Sequence, residues 1–155
     1  YIYIQKIRYN NSFDVEFDVQ DEVLKCQCIR FILQPQVENA IFHGLEPKEG
    51  FGLIRVSARL EEGHLNFEVW DNGVGMSEDQ IHRLLTENRK KERGLSGIGV
   101  RNVNDRIKMI YGKQYGIQIK SRVGEYTCVK ITIPNKTEIK VTGCEDEIYK
   151  GEKDV

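Results

Sequence analysis

The chain is poor in the features that mark several functional classes. No apolar run approaches the roughly 20 residues that a membrane-spanning helix needs, and no signal peptide is visible. Positive charge is not in excess: 23 Lys and Arg stand against 24 Asp and Glu, for a formal net charge of −1. That removes the basic footprint of a nucleic-acid or membrane-surface binder, so no nucleic-acid partner is expected. Cysteine is scarce and poorly spaced for a metal. Among Cys26, Cys28, Cys128 and Cys144 only Cys26-Gln27-Cys28 is a close pair, and it is neither a zinc hook nor a redox Cys-x-x-Cys. Free thiols in a reducing cytosol are the expectation. His43, His64 and His82 are scattered, and there is no internal repeat. What remains is an ordinary globular mixture, 39% hydrophobic and 30% charged over 155 residues. A chain of this size buries roughly 70% of the surface its unfolded form exposes, enough for one domain.

The pattern of apolar residues gives the elements. Tyr1 to Arg8 reads as the end of a helix with apolar Ile2, Ile4 and Ile7, with a strand as the alternative for so short a run. Phe13 to Val19 alternates strictly, as a half-buried strand with an acidic outer face does. A helical pattern follows and stops at Gly44, starting near Pro35 or bending there. Two alternating runs, Ile54 to Leu60 and Leu65 to Val69, flank the hairpin turn Glu62-Gly63. Ser77 and Gln80 form a capping-box pattern at the head of a short helix, inside a polar stretch covering 77–93. A helix from Gly99 to about Tyr111 carries Val100, Val103, Ile107 and Ile110 on one side. Strands around Ile117–Ile119 and Val129–Ile133 turn at Gly124, and Pro134 ends the pattern. Residues 135–155 are a polar tail with little periodicity. Hairpins alternating with single helices predict an α+β two-layer sandwich, a mixed sheet with helices on one face.

Three segments carry chemistry. At 100° per residue, Gln36, Asn39 and His43 share one side of the first long helix within about 60°, opposite Leu33, Val37, Ala40, Ile41 and Gly44. An asparagine carbonyl there suits magnesium, which takes oxygen ligands. Asp71, in Asp71-Asn72-Gly73-Val74-Gly75-Met76, keeps the parity of Leu65, Phe67 and Val69, so its carboxylate faces the buried side. A buried carboxylate needs partners, and the amino group of adenine can supply one while Gly73 and Gly75 let a flat ring approach the backbone. Gly94, Gly97 and Gly99 precede a helix whose free amides favour an anion such as a triphosphate. The lysine of a P-loop is missing, and so is the strand of a dinucleotide fingerprint.

In this order the three segments resemble the N-box, G1 box and G2 box of the two-component sensor histidine kinases. They are most similar to the subclass with Gln-Pro-x-Val-Glu-Asn-Ala-x-x-His-Gly, here Gln34 to Gly44. The resemblance covers roughly residues 1–134 and implies the Bergerat ATP-binding fold. It implies that Asn39 binds magnesium and is the catalytic position, and that Asp71 bonds the adenine amino group. Gly73 and Gly75 would shape the base pocket, and Gly94, Gly97 and Gly99 would serve the phosphates. His43, Val100 and Thr127 complete the implied nucleotide-binding set, and residues 77–93 become an ATP lid. Two positions depart from the family pattern: Phe42 stands where many members have lysine or tyrosine, and Tyr126 where glycine usually precedes the threonine.

The same resemblance implies ATP and Mg2+ as ligands and transfer of the γ-phosphate to a histidine on a separate helical hairpin. Residues 1–8 would be a remnant of that hairpin and 9–134 the catalytic domain. The parent would be a homodimer anchored in the cell membrane, with this domain in the cytoplasm and a response regulator downstream. A chain that opens at Tyr1 reads as a piece of a longer protein. Rival readings are an ATP-hydrolysing machine of the same fold, an anti-sigma-type serine kinase, and a binding module without activity. Hydrolysing relatives place a glutamate one turn before the asparagine, where this chain has Pro35; Glu38 lies about 100° away.

Overall fold

The computed structural model describes residues 1–86 and 98–135. Five strands form one sheet: β1 Phe13–Val19, β2 Gly52–Glu61, β3 His64–Asp71, β4 Gly116–Arg122 and β5 Tyr126–Pro134, in spatial order β1-β2-β3-β5-β4. β1 runs parallel to β2 and every other pairing is antiparallel. The parallel pair needs a crossover, which α2, Gln34–Asn39, and its continuation provide. The remaining α-helices among the described residues are α1 Ile2–Arg8, α3 Glu78–Thr86 and α4 Ile98–Tyr111, and a short 3-10 helix spans Asp21–Lys25. Described residues thus form the mixed sheet that the pattern predicts, with the tail beyond 135 outside them.

Strand parity fixes which face is covered. Ile54, Val56 and Ala58 of β2, Leu65, Phe67 and Val69 of β3, and Val129, Ile131 and Ile133 of β5 are buried, whereas Arg55 and Lys130 of the alternate positions are exposed. Two apolar clusters lie between sheet and helices. Val100, Val103 and Ile107 of α4 pack with Phe67, Ile131 and Ile133, and Val37, Ala40 and Ile41 pack with Phe13, Ile54 and Val69. Each side chain as fully buried as Ile107 contributes roughly 1.5–3 kcal/mol.

Local signals explain the boundaries. Glu62 and Gly63 both adopt positive φ, 49° and 76°, the backbone of a two-residue hairpin matched to strand twist. The capping box forms: the Ser77 amide donates to Gln80 Oε1 at 2.8 Å, and the Gln80 amide donates to Ser77 Oγ at 3.3 Å. Pro35 sits in the first turn of α2, where its missing amide costs nothing, so the helix starts there and does not bend.

Two expectations change. The helix does not stop at Gly44 but widens into a π-helical turn over Ala40–Leu45, with the Glu46 amide donating to the Ile41 carbonyl at 2.9 Å. β1 is buried only at its start: Phe17 and Val19 are exposed, because an outer strand extends past the α2 cluster. In α1, Ile2 packs against the Phe13 cluster, as Tyr9 and Phe42 do, while Ile4 and Ile7 stay exposed.

Candidate nucleotide-binding site

Asp71 is the last residue of β3, and parity turns its side chain under the helices, where it is 3% exposed. Ile54 of β2 and Thr127 of β5 are its cross-strand neighbours. Oδ1 accepts from the Gly73 amide at 2.9 Å, and no cation pairs with this carboxylate among the described residues. Burial therefore dominates: it pushes the Asp71 pKa up to about 7, against the downward pull of the Gly73 amide. The group stands between its two protonation states near neutrality.

The backbone around it is closely fitted. A Cβ at Gly44 would lie 2.5 Å from Asp71 Oδ1, and one at Gly73 would enter the Gly44 backbone. Gly75 has φ +66°, and a Cβ there would run into the Arg122 carbonyl. The Val74 amide donates to the Gly44 carbonyl at 3.0 Å, and the Gly124 amide donates to the Val74 carbonyl at 2.7 Å. The π-helical turn, the glycine loop and the β4–β5 turn are thus tied together around Asp71. The sequence pattern marks Gly73 and Gly75, but it reads Gly44 only as a helix stop.

Thr127 is buried opposite Asp71. Ser121 Oγ lies 3.1 Å from Thr127 Oγ1, accepts from the Met76 amide at 2.7 Å and donates to the Tyr126 carbonyl at 2.6 Å. The single Ser121 proton goes to that carbonyl, so Thr127 is the donor between the two hydroxyls, and its lone pairs remain free. Ser121 escaped the sequence reading: it lies on a strand with no motif around it. Tyr126 enters this network through its carbonyl, which any residue supplies.

The second half of the site lies between α2 and α4. Asn39 is half-buried at the end of α2, and its Nδ2 is buried without a hydrogen-bond partner among the described residues. His43 is exposed on the π-helical turn. Gly99 packs on Pro35: a Cβ added to it would lie 3.1 Å from Pro35 Cβ, setting the first turn of α4 against the first turn of α2. Val100 is 1% exposed and belongs to the apolar cluster beneath α4. Glu38 Oε1 accepts from Gln34 Nε2 at 2.9 Å on the far side of α2. Phe42 stacks near Tyr9, with ring centroids 6.4 Å apart and the Arg8 guanidinium 6.0 Å from its centroid, so it closes the α1 contact. Gly94, Gly97 and the 87–93 part of the expected lid lie outside the described residues.

Residues 27–137, most of the chain, match the family described as histidine kinase-, DNA gyrase B- and HSP90-like ATPase. This chain belongs to that ATPase family. The sensor histidine kinase YesM of Bacillus subtilis is 35% identical over 139 residues, which is 90% of this chain and 22% of the relative. The sensor protein LytS of Bacillus anthracis is 31% identical over 150 residues, 97% of this chain and 24% of the relative. The chain therefore spans under a quarter of the length of these two curated relatives. In fold it is similar to the nucleotide-free catalytic domain of histidine kinase ThkA, with a TM-score of 0.64 at 17% identity, covering 86% of this chain and 87% of that one. Family match and architecture together give this chain the Bergerat fold of this ATPase family.

Proposed function

We propose that this domain presents ATP to a histidine on a helical hairpin of its parent kinase, as the catalytic half of a two-component sensor. The buried Asp71 carboxylate, without a cation and framed by Gly44, Gly73 and Gly75, carries this reading. It is a buried acceptor packed against glycine backbone, and the amino group of adenine is a matching donor. Thr127, its cross-strand neighbour, has free lone pairs, so base selection rests on two acceptors that a guanine carbonyl would oppose.

The phosphates fit the α2–α4 side. Gly99 and the first amides of α4 supply donors and the positive end of a helix dipole; Gly94 and Gly97 are assigned to the same subsite from sequence. A Mg2+ ion fits Asn39: its amide nitrogen is buried and has no partner among the described residues, and its carbonyl oxygen suits a hard cation. The chemistry supplied with the metal bound is neutralisation of charge on the phosphate oxygens. His43 and Val100 flank this end, and the segment 77–93 is assigned to the lid.

Hydrolysis is disfavoured because no described residue of α2 stands ready to activate water. Pro35 occupies the position of a general base, and Glu38 is engaged with Gln34. Phosphoryl transfer depends on positioning the γ-phosphate against a nucleophile, and that nucleophile is assigned to the parent's hairpin, of which residues 1–8 would be the end. A homodimeric parent in the cell membrane and a response regulator downstream complete the proposal. No helix among the described residues is long and apolar enough to cross a membrane.

The test is calorimetric titration with ATP, with and without magnesium, followed by γ-labelled ATP. The isolated chain is expected to bind magnesium-ATP and to acquire no label. Adding the parent's hairpin in trans should give an acid-labile, alkali-stable phosphate. An acid-stable label on the chain alone would replace the histidine-kinase reading with a serine-kinase one.

A further inference from the structure

Gln36 is the one fully buried side-chain amide of α2, and it is unsatisfied. It is 1% exposed, and both Oε1 and Nε2 are buried without a hydrogen-bond partner among the described residues. Leaving such a group unpaired is unfavourable, so a side chain of this kind is retained where something else pairs with it. Its direction follows from the helix. Val37, Ala40 and Ile41 face the sheet, and Pro35 meets Gly99 of α4. On the helical wheel Asn39 projects between Pro35 and Gln36. Two amides, one turn apart, therefore carry buried unpartnered atoms on the side of α2 that meets the start of α4. α4 is 14 residues long, and the first amides of such a helix have no intrahelical acceptor.

We propose that Gln36 is a phosphate-binding residue of the nucleotide site, donating from Nε2 to a phosphate oxygen at the N-terminal end of α4. The inference rests on the ATP-site reading and extends it to a residue outside the nucleotide-binding motif positions. Gln36 thereby joins the ligand to the α2–α4 contact, so that phosphate binding completes a buried hydrogen-bond set that the protein alone leaves open. A residue that only filled the core would leave phosphate affinity unchanged on apolar replacement; the gain in stability from removing an unsatisfied amide is common to both roles, so affinity decides between them.

The experiment compares the 155-residue chain with Gln36→Leu and Gln36→Met by calorimetry, using magnesium-ADP and adenosine as separate probes, alongside thermal unfolding. Both variants should bind magnesium-ADP at least tenfold more weakly, keep the wild-type affinity for adenosine, and melt at or above the wild-type temperature. Wild-type affinity for magnesium-ADP in a folded variant overturns the assignment and leaves the ATP-site reading intact. If the wild-type chain binds neither probe, the ATP-site reading fails and the assignment falls with it. Should both variants fail to fold, the side-chain amide resonances of Gln36 in the wild-type chain decide. They should shift with magnesium-ADP and stay in place with adenosine, and the absence of a shift with magnesium-ADP overturns the proposal.

Discussion

The two ends of the candidate site are built to different degrees. Around Asp71 the protein has bonded its scaffold to itself: Gly73 donates to one carboxylate oxygen, Gly44, Val74 and Gly124 are joined through the backbone, and Ser121 joins Met76, Tyr126 and Thr127. Between α2 and α4 it has not, and the amides of Gln36 and Asn39 keep buried atoms without partners among the described residues. The difference reflects what each end must do. A flat base is best recognised by a rigid slot, because a preformed site loses little entropy on binding. A triphosphate changes charge and position during transfer, so groups held in reserve for it can bind the reacting state more tightly than the resting one.

The contrast can be broken in several ways, and the largest effect is expected at Asn39. Asn39→Ala should abolish the magnesium dependence of ATP binding and reduce transfer in the parent kinase to background, with the fold unchanged by circular dichroism. Retained transfer would remove Asn39 from the metal site. Gly75→Val should damage the base end, because φ +66° and the Arg122 carbonyl both exclude a side chain. Strain of this kind costs roughly 1–3 kcal/mol, and chemical denaturation should report it together with a loss of adenosine binding.

A subtler change is Asp71→Asn, which removes a charged acceptor but keeps the shape. ATP affinity should fall about 10- to 100-fold, the equivalent of one charged hydrogen bond at roughly 1.5–3 kcal/mol. GTP should bind poorly to the wild-type chain, and equal affinity for ATP and GTP would sink the adenine assignment.

Protonation sharpens the comparison further. Asp71 has a folded pKa raised to about 7 from the ordinary 3.8, so the folded state holds its proton longer than the unfolded one. The resulting penalty on folding is absent below pH 3.8, grows as pH rises towards 7, and is constant above that. Asp71→Asn should lack this slope and exceed wild-type stability at about pH 8, which melts across a pH series would show. Adenosine has no phosphate to titrate, and its affinity for the wild-type chain should drop as pH falls through the Asp71 pKa of about 7. The smallest effect belongs to Ser121→Ala, which frees Thr127 to rotate and should lower ATP affinity about tenfold or less, near one hydrogen bond at roughly 1 kcal/mol.

Much of this was legible in the sequence because two periodicities carry it. Alternation by itself places Asp71 on the covered face, since Leu65, Phe67 and Val69 set the parity. The 3.6-residue repeat likewise found the buried side of α4 and grouped Gln36 with Asn39. What it missed depended on neighbours distant in sequence. The π-helical turn at Ala40–Leu45 has no period of its own to announce it, and Gly44 matters only because Asp71 arrives beside it. Ser121 is anonymous on its strand until Tyr126 and Met76 close around it. The helical wheel placed Gln36 on the polar side of an amphipathic helix, yet it is buried, because α4 covers that side as well as the sheet covers the other.

The sheet order has a kinetic consequence. β2 and β3 are adjacent in sequence and close through a two-residue turn, so their pairing can form early. β3 meets β5 only after α3, α4 and β4 have been traversed, and the last register of that pairing is Asp71 with Thr127. Interactions at this junction should therefore be absent from the folding transition state, with φ-values near zero at Asp71 and Thr127. Ligand gripping the junction would leave the refolding rate alone and slow unfolding, making nucleotide a brake on escape from the native state and not a guide towards it.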